Sequence, residues 1–328
     1  MSQQTIKSDV NTIQDHRNWV KAIDLTTDDR HIVSGGLDGQ IRIHDRQTGL
    51  CIKTLEEVDS WIYCLKATNN NKYIIAGYAD NSIRVWSKES YKLVKTLEGH
   101  KGSVLGLGIS SDDQLLASGG LDTTIKLWRL SSGDCIQTLE GHDNMVRTVC
   151  LTCDKKTLVS GGDDHTIKVW SIAESRLMKT LNGHTGSVMC LALLGKDNMI
   201  ISGSRDCTVK CWLITTGECF GTFRGHTGPV FGLALTADKK YLASGGGDKT
   251  IKIWDVATSD CIKTLEGHTK NVTSVCISND DSSIISASND KTIKVWTMQN
   301  YLKPYIMQLS TKSMPTDFQL DNTQYIED

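Results

Sequence analysis

Between residues 99 and 140 the apolar positions fall into four short runs separated by turn residues. Val104, Leu105, Leu107 and Ile109 mark the first run, Leu115 to Ser118 the second, Ile125 to Trp128 the third and Cys135 to Leu139 the fourth. Short alternating runs bounded by turn signals predict β-strands rather than helices. Ser111, Asp112 and Asp113 supply a polar corner, Gly119 and Gly120 are expected to take backbone angles closed to other residues, and Ser131 to Gly133 make the next reversal. The segment therefore predicts a small antiparallel sheet.

The same pattern recurs along almost the whole chain. Asp38, Asp80, Asp122, Asp164, Asp206, Asp248 and Asp290 are spaced 42 residues apart, and six residues beyond each stands an aromatic ring: His44, Trp86, Trp128, Trp170, Trp212, Trp254 and Trp296. A four-stranded unit of this length cannot bury both its faces alone, so stacked neighbours must complete the core. The expected fold is all-β, a closed seven-bladed propeller with four antiparallel strands per blade. Residues 15–297 hold the seven repeats. Val10, Thr12 and Ile13 lie in phase with Val94, Thr96 and Leu97 of a fourth strand, so residues 1–14 are expected to supply the strand that closes the last blade. The competing segment near the other end carries Pro304, which removes a ladder donor. Residues 298–328 read as an appended tail.

Composition changes this picture little. The chain has 328 residues, enough for two ordinary domains, but a ring of repeats reaches that size as one. With 36 basic and 38 acidic residues the formal charge is −2, which gives no field to draw the chain onto nucleic acid or an anionic membrane. MSQQTIKSDV lacks a signal segment, and no run approaches the ~18 apolar residues of a membrane span. The expected location is intracellular, cytoplasmic or nuclear, and the propeller is expected to be monomeric. Of 11 cysteines, Cys51, Cys135, Cys219 and Cys261 share one repeat position and Cys150 and Cys276 another. Equivalent positions in different blades point alike, so these read as reduced thiols rather than disulfide partners. Cys150 and Cys153 form a lone CxxC with no second pair to complete a zinc site. Neither metal nor cofactor is expected.

Gly99/His100, Gly141/His142, Gly183/His184, Gly225/His226 and Gly267/His268 precede the Asp and Trp landmarks in phase. With them, residues 7–297 resemble the WD40-repeat family, although the dipeptide that names it survives whole only as Trp254–Asp255. The resemblance implies a buried hydrogen-bonded His, Ser, Asp and Trp in each of five blades: His100, Ser118, Asp122 and Trp128; His142, Ser160, Asp164 and Trp170; His184, Ser202, Asp206 and Trp212; His226, Ser244, Asp248 and Trp254; His268, Ser286, Asp290 and Trp296. Five copies argue against a nucleophilic triad, which needs one exposed nucleophile beside an oxyanion site. The second repeat has Val58 for the His and Ala76 for the Ser, a paired loss that costs less than orphaning one partner. The first keeps His16, Ser34 and Asp38 but carries His44 in the Trp slot, read as a packed substitute.

The resemblance also implies a peptide-binding top face built from three positions per repeat. Three places after the histidine stand Trp19, Trp61, Ser103, Met145, Ser187, Pro229 and Asn271; five places after it stand Lys21, Tyr63, Leu105, Arg147, Met189, Phe231 and Thr273. Before the Asp stand Leu37, Ala79, Leu121, Asp163, Arg205, Gly247 and Asn289. Trp19, Trp61, Tyr63 and Phe231 are expected to be exposed anchors. Leu105, Leu121, Met145 and Met189 add apolar surface, and Lys21, Arg147 and Arg205 orient an acidic ligand. The basic series Arg42, Arg84, Lys126, Lys168, Lys210, Lys252 and Lys294 is filled alike in every blade, so it is expected to serve the blade rather than a nucleic-acid track.

These residues predict a non-catalytic interaction scaffold that binds a peptide or partner loop across its top face within a larger assembly. The alternative is a reader of a basic or modified, histone-like peptide, for which Phe231 matches an arginine-gripping ring of the histone-reading propellers of methyltransferase assemblies. The expected partners are proteins, with no direct nucleic-acid or membrane contact.

Overall fold

A computed structural model describes residues 10–194 and 198–298; of the closing segment expected at 1–14 residues 1–9 lie outside them, and of the tail expected at 298–328 only Met298 lies within them, buried in a core cluster with Trp296. The chain opens with β1 (Val10–Ile13) and then runs blade by blade. Blade one is β2 (Val20–Leu25), β3 (His31–Gly36), β4 (Ile41–Asp45) and β5 (Cys51–Thr54); blade two is β6 (Ile62–Ala67), β7 (Tyr73–Tyr78), β8 (Ile83–Ser87) and β9 (Leu93–Leu97). Blade three is β10 (Val104–Ile109), β11 (Leu115–Gly120), β12 (Ile125–Arg129) and β13 (Cys135–Leu139); blade four is β14 (Val146–Leu151), β15 (Thr157–Gly162), β16 (Ile167–Ser171) and β17 (Arg176–Leu181). Blade five is β18 (Val188–Leu194), β19 (Met199–Ser204), β20 (Val209–Leu213) and β21 (Cys219–Phe223); blade six is β22 (Val230–Leu235), β23 (Tyr241–Gly246), β24 (Ile251–Asp255) and β25 (Cys261–Leu265). Blade seven holds β26 (Val272–Ile277), β27 (Ser283–Ser288) and β28 (Ile293–Thr297).

Each blade is an antiparallel meander whose first strand is innermost, and β1 completes blade seven as its outermost strand. The innermost strands stand side by side from β2 to β26, and β26 returns to β2, which closes the ring. Thr12 lies opposite Lys294 and Ile13 opposite Ile293, as Thr138 and Leu139 lie opposite Lys126 and Ile125 in blade three. The amino-terminal strand thus repeats the chemistry of every other fourth strand.

The core lies between blades. Leu116, Trp128, Val104 and Ile83 pack together at one junction, and Ala117, Ile125, Val146 and Trp170 at the next. The second strand of each blade is almost wholly buried, which explains its small residues. Gly119 and Gly120 lie in β11 rather than in a turn: a Cβ on Gly119 would stand 2.5 Å from Val146 Cγ1, and one on Gly120 would stand 2.9 Å from His100 Nδ1. Close approach, not conformational freedom, selects glycine there. The left-handed residue of the following turn is Thr123, at φ 65°.

Candidate functional site

The loops entering each first strand and the turns joining second to third strands share one end of the ring, and one polar device ties them together. In blade three, His100 Nδ1 donates to Asp122 Oδ2 at 2.9 Å, Ser118 Oγ lies 2.7 Å from His100 Nε2, and Trp128 Nε1 donates to Ser118 Oγ at 2.8 Å. With the proton on Nδ1, the serine hydroxyl donates to Nε2 and accepts from the indole, so the chain has one consistent direction. Asp122 also accepts from Lys101 N at 2.7 Å and from Thr124 N and Oγ1 at 3.2 and 2.9 Å, pinning the left-handed turn. The equivalents in blades four to seven make the same His–Asp, His–Ser and Trp–Ser bonds. Burial raises the pKa of each of these carboxylates, but the bonds they accept outweigh it, and Asp206 is held at about 2. The serines are fully buried, with their hydroxyls committed to imidazole and indole.

The two departing repeats solve the same problem with other residues. In blade two, Val58 and Ala76 leave room that Tyr78 fills. Its position carries Gly36, Gly120, Gly162 and Gly246 or a serine elsewhere, and a Cβ at Gly120 points straight at His100. Tyr78 is fully buried, stacked 4.5 Å from the Arg84 guanidinium, and burial pushes its hydroxyl pKa up to about 12. In blade one, His16 keeps its bonds to Asp38 and Ser34, but His44 turns away from Ser34 and takes Asp15 Oδ2 at 3.0 Å. Burial lowers the pKa of His44, against the opposing pull of Asp15, so its ring is neutral.

The basic series stays within its blades. The amines of Lys126, Lys168, Lys210 and Lys252 each donate to a threonine on their own fourth strand, Lys294 reaches Thr12 of β1 at 2.8 Å, and Arg42 and Arg84 pair with Asp38 and Asp80.

The top-face positions divide into two groups. Every innermost strand carries a β-bulge near its start, and the extra residue is in turn Lys21, Tyr63, Leu105, Arg147, Met189, Phe231 and Thr273. A bulge re-aims its extra side chain, and all seven line the central channel, a cavity of about 870 Å3. Trp19, Asn271, Arg205 and Asn289 also border it. Trp61, Leu121 and Met145 do not, although Trp61 and Leu121 are exposed at 52 % and 45 %. Trp19 is exposed too, at 39 %, with the Lys21 amine 5.7 Å from its ring centre. Tyr63 and Phe231, expected among the exposed anchors, are only partly accessible because the bulge turns them into the channel.

Electrostatically the channel mouth is basic. Burial lowers the pKa of Lys21, and Arg147 adds repulsion. Asp163 is committed to Arg147, with Nε–Oδ1 at 2.9 Å and Nη2–Oδ2 at 2.6 Å. Arg205 borders the same cavity and stays exposed. A second apolar series, Ile52, Val94, Ile136, Met178 and Phe220, is exposed on the outermost strands of successive blades. These residues stand at one fixed phase, and Leu93 and Leu177 are exposed beside Val94 and Met178, so the outer strands carry an apolar belt around these blades.

The family model described as WD domain, G-beta repeat matches residues 7–45, 49–87, 91–129, 133–171, 175–212, 217–255 and 259–297, and the chain belongs to this family. The first matched segment includes β1, so the family unit itself runs from a fourth strand through the next blade's third. No curated protein matches the sequence. WD-repeat propellers are, as a class, protein-interaction scaffolds.

Proposed function

We propose that this propeller is a non-catalytic scaffold whose channel mouth binds an acidic segment of a protein partner with bulky apolar side chains. The observation that carries this reading is the convergence of the seven bulge residues, two of them cationic and two aromatic, on one cavity bordered by Trp19. Aromatic side chains beside a partly enclosed apolar space are where binding energy concentrates. Lys21 and Arg205 supply charge that speeds encounter and fixes orientation. A basic segment would meet Lys21, Arg147 and Arg205, and the neighbouring carboxylate, Asp163, is already paired with Arg147. The non-catalytic reading is supported by Ser118, Ser160, Ser202, Ser244 and Ser286, each buried and bonded to its tryptophan, and by the channel-lining thiols of Cys64 and Cys190, which burial pushes up to about 12, and of Cys276, which burial raises well above its ordinary value.

Affinity purification of the full chain beside a Trp19→Ala, Tyr63→Ala, Phe231→Ala variant, all three at residues that border the cavity, tests the reading. Partners captured by the wild type should be lost by the folded variant. Full recovery by that variant rules out the channel mouth as the binding surface.

A further inference from the structure

Blade one departs from its siblings at two facing positions at once. In blades three to seven a glycine precedes the histidine at φ of 145° to 154°, and a Cβ there would stand 3.1 to 3.3 Å from the far edge of that blade's tryptophan. In blade one the glycine becomes Asp15 and the tryptophan becomes His44. The shorter ring admits the carboxylate, which reaches His44 Nε2 at 3.0 Å. Across the β4–β5 pairing Cys51 stands opposite His44, and one donor atom each from Asp15, His44 and Cys51 lies within 4.8 Å of the other two. His44 is fully buried and its Nδ1 has no hydrogen-bond partner among the described residues, so Asp15 is the ring's hydrogen-bond anchor.

We propose that Asp15, His44 and Cys51 form a site for one zinc-class divalent cation. The donor set is a carboxylate, a neutral imidazole and a thiolate, the three ligand types that tetrahedral zinc takes at about 2.0 to 2.3 Å. Ligands at such bond lengths stand about 3.3 to 3.7 Å apart, so the carboxylate and imidazole, at 3.0 Å, open slightly, and the thiol, already within 4.8 Å of both, has about 1 Å at most to close. Asp15 and Cys51 are both exposed and move without disturbing the core, while His44 is fixed in it. The thiol proton passes to solvent as the sulfur binds, the His44 proton shifts from Nε2 to Nδ1 so that the Nε2 lone pair faces the cation beside Asp15, and a water completes the fourth position. Asp15 lies two residues beyond the end of β1, the strand that closes blade seven, whereas His44 and Cys51 belong to blade one. The cation would therefore clasp the ring at its closure.

Cobalt(II) titration of the reduced full chain tests the site, because a thiolate–cobalt bond gives a near-ultraviolet charge-transfer band. One equivalent should bind with that band. Cys51→Ser should abolish the band and weaken binding at least about tenfold. The double variant Asp15→Gly, His44→Trp, which restores the glycine and tryptophan of the sibling blades, should do the same. Cys135→Ser, at the same repeat position but facing Trp128, should leave band and affinity intact. Excess zinc should raise the melting temperature of the wild type and not of Cys51→Ser. Cys51 is exposed, so its serine variant keeps the fold even where the double variant does not. Absence of a thiolate–cobalt band, or a band that survives Cys51→Ser, overturns the proposal.

Discussion

Asp164→Ala and Asp80→Ala remove the same repeat position from two blades, and the structure sets their costs apart. Asp164 accepts from His142 Nδ1 at 2.6 Å, Asp143 N at 3.2 Å, and Thr166 N and Oγ1 at 3.1 and 2.8 Å. Its loss leaves the fully buried His142 imidazole with an unmatched N–H and frees the left-handed turn at His165. Stranding a buried donor costs about 1 to 3 kcal/mol, and losing charge-assisted bonds adds to it, so about 3 kcal/mol is expected. Asp80 has no histidine to satisfy. Its carboxylate is exposed, bonding Ser82 and pairing with Arg84 at 2.8 Å, and such contacts contribute about 1 kcal/mol. The gap of about 2 kcal/mol corresponds to about 0.7 M urea at a denaturant slope near 3 kcal/mol/M. Urea unfolding followed by tryptophan fluorescence reads it. Equal midpoints, or a lower midpoint for the Asp80 variant, would refute the assignment of these carboxylates to histidine-dependent networks.

Deleting residues 1–14 removes the partner of β28, along with buried Ile13 and the Lys294–Thr12 bond, and should lower stability by several kcal/mol while exposing a pairing edge. A melting temperature equal to that of the full chain would contradict closure by β1. The carboxylates of the His–Asp pairs have folded pKa values below the unfolded value of about 3.9, so their contribution is fully present above that pH and is lost as pH falls through the folded values, with Asp206 at about 2. Melting temperature should therefore fall steeply between about pH 4 and 2, and Asp206→Asn should flatten that fall; an unchanged slope in the variant counts against the linkage.

The fold was legible because its strongest signals are covalently spaced. A 42-residue phase of Asp and Trp survives any local irregularity, and Thr12 and Ile13 kept that phase at the amino terminus. The bulges were not legible. One extra residue, such as Leu105 between Val104 and Gly106, leaves the apolar pattern intact while turning its own side chain into the channel. The sequence pattern therefore predicts more exposure for Tyr63 and Phe231 than the structure shows. Glycine signals both left-handed backbone and close approach, so the sequence reads Gly119 as a turn residue, and only the neighbouring Val146 decides for close approach. Tyr78 breaks a column of Gly and Ser, and Asp15 a column that is Gly in blades three to seven and Glu57 in blade two, yet neither substitution by itself shows the partner it meets. In both cases the substitution answers a change elsewhere in its own blade, a coupling that appears only when the facing residues are known.

Site-specific photo-crosslinking tests the central claim most directly. A benzophenone side chain placed at Tyr63 or Phe231 reports on the channel mouth, and one placed at Ile136 or Phe220 reports on the exposed belt of the outer strands. The account predicts that the same partner is captured from both channel positions and from neither belt position. Capture from the belt alone would contradict it.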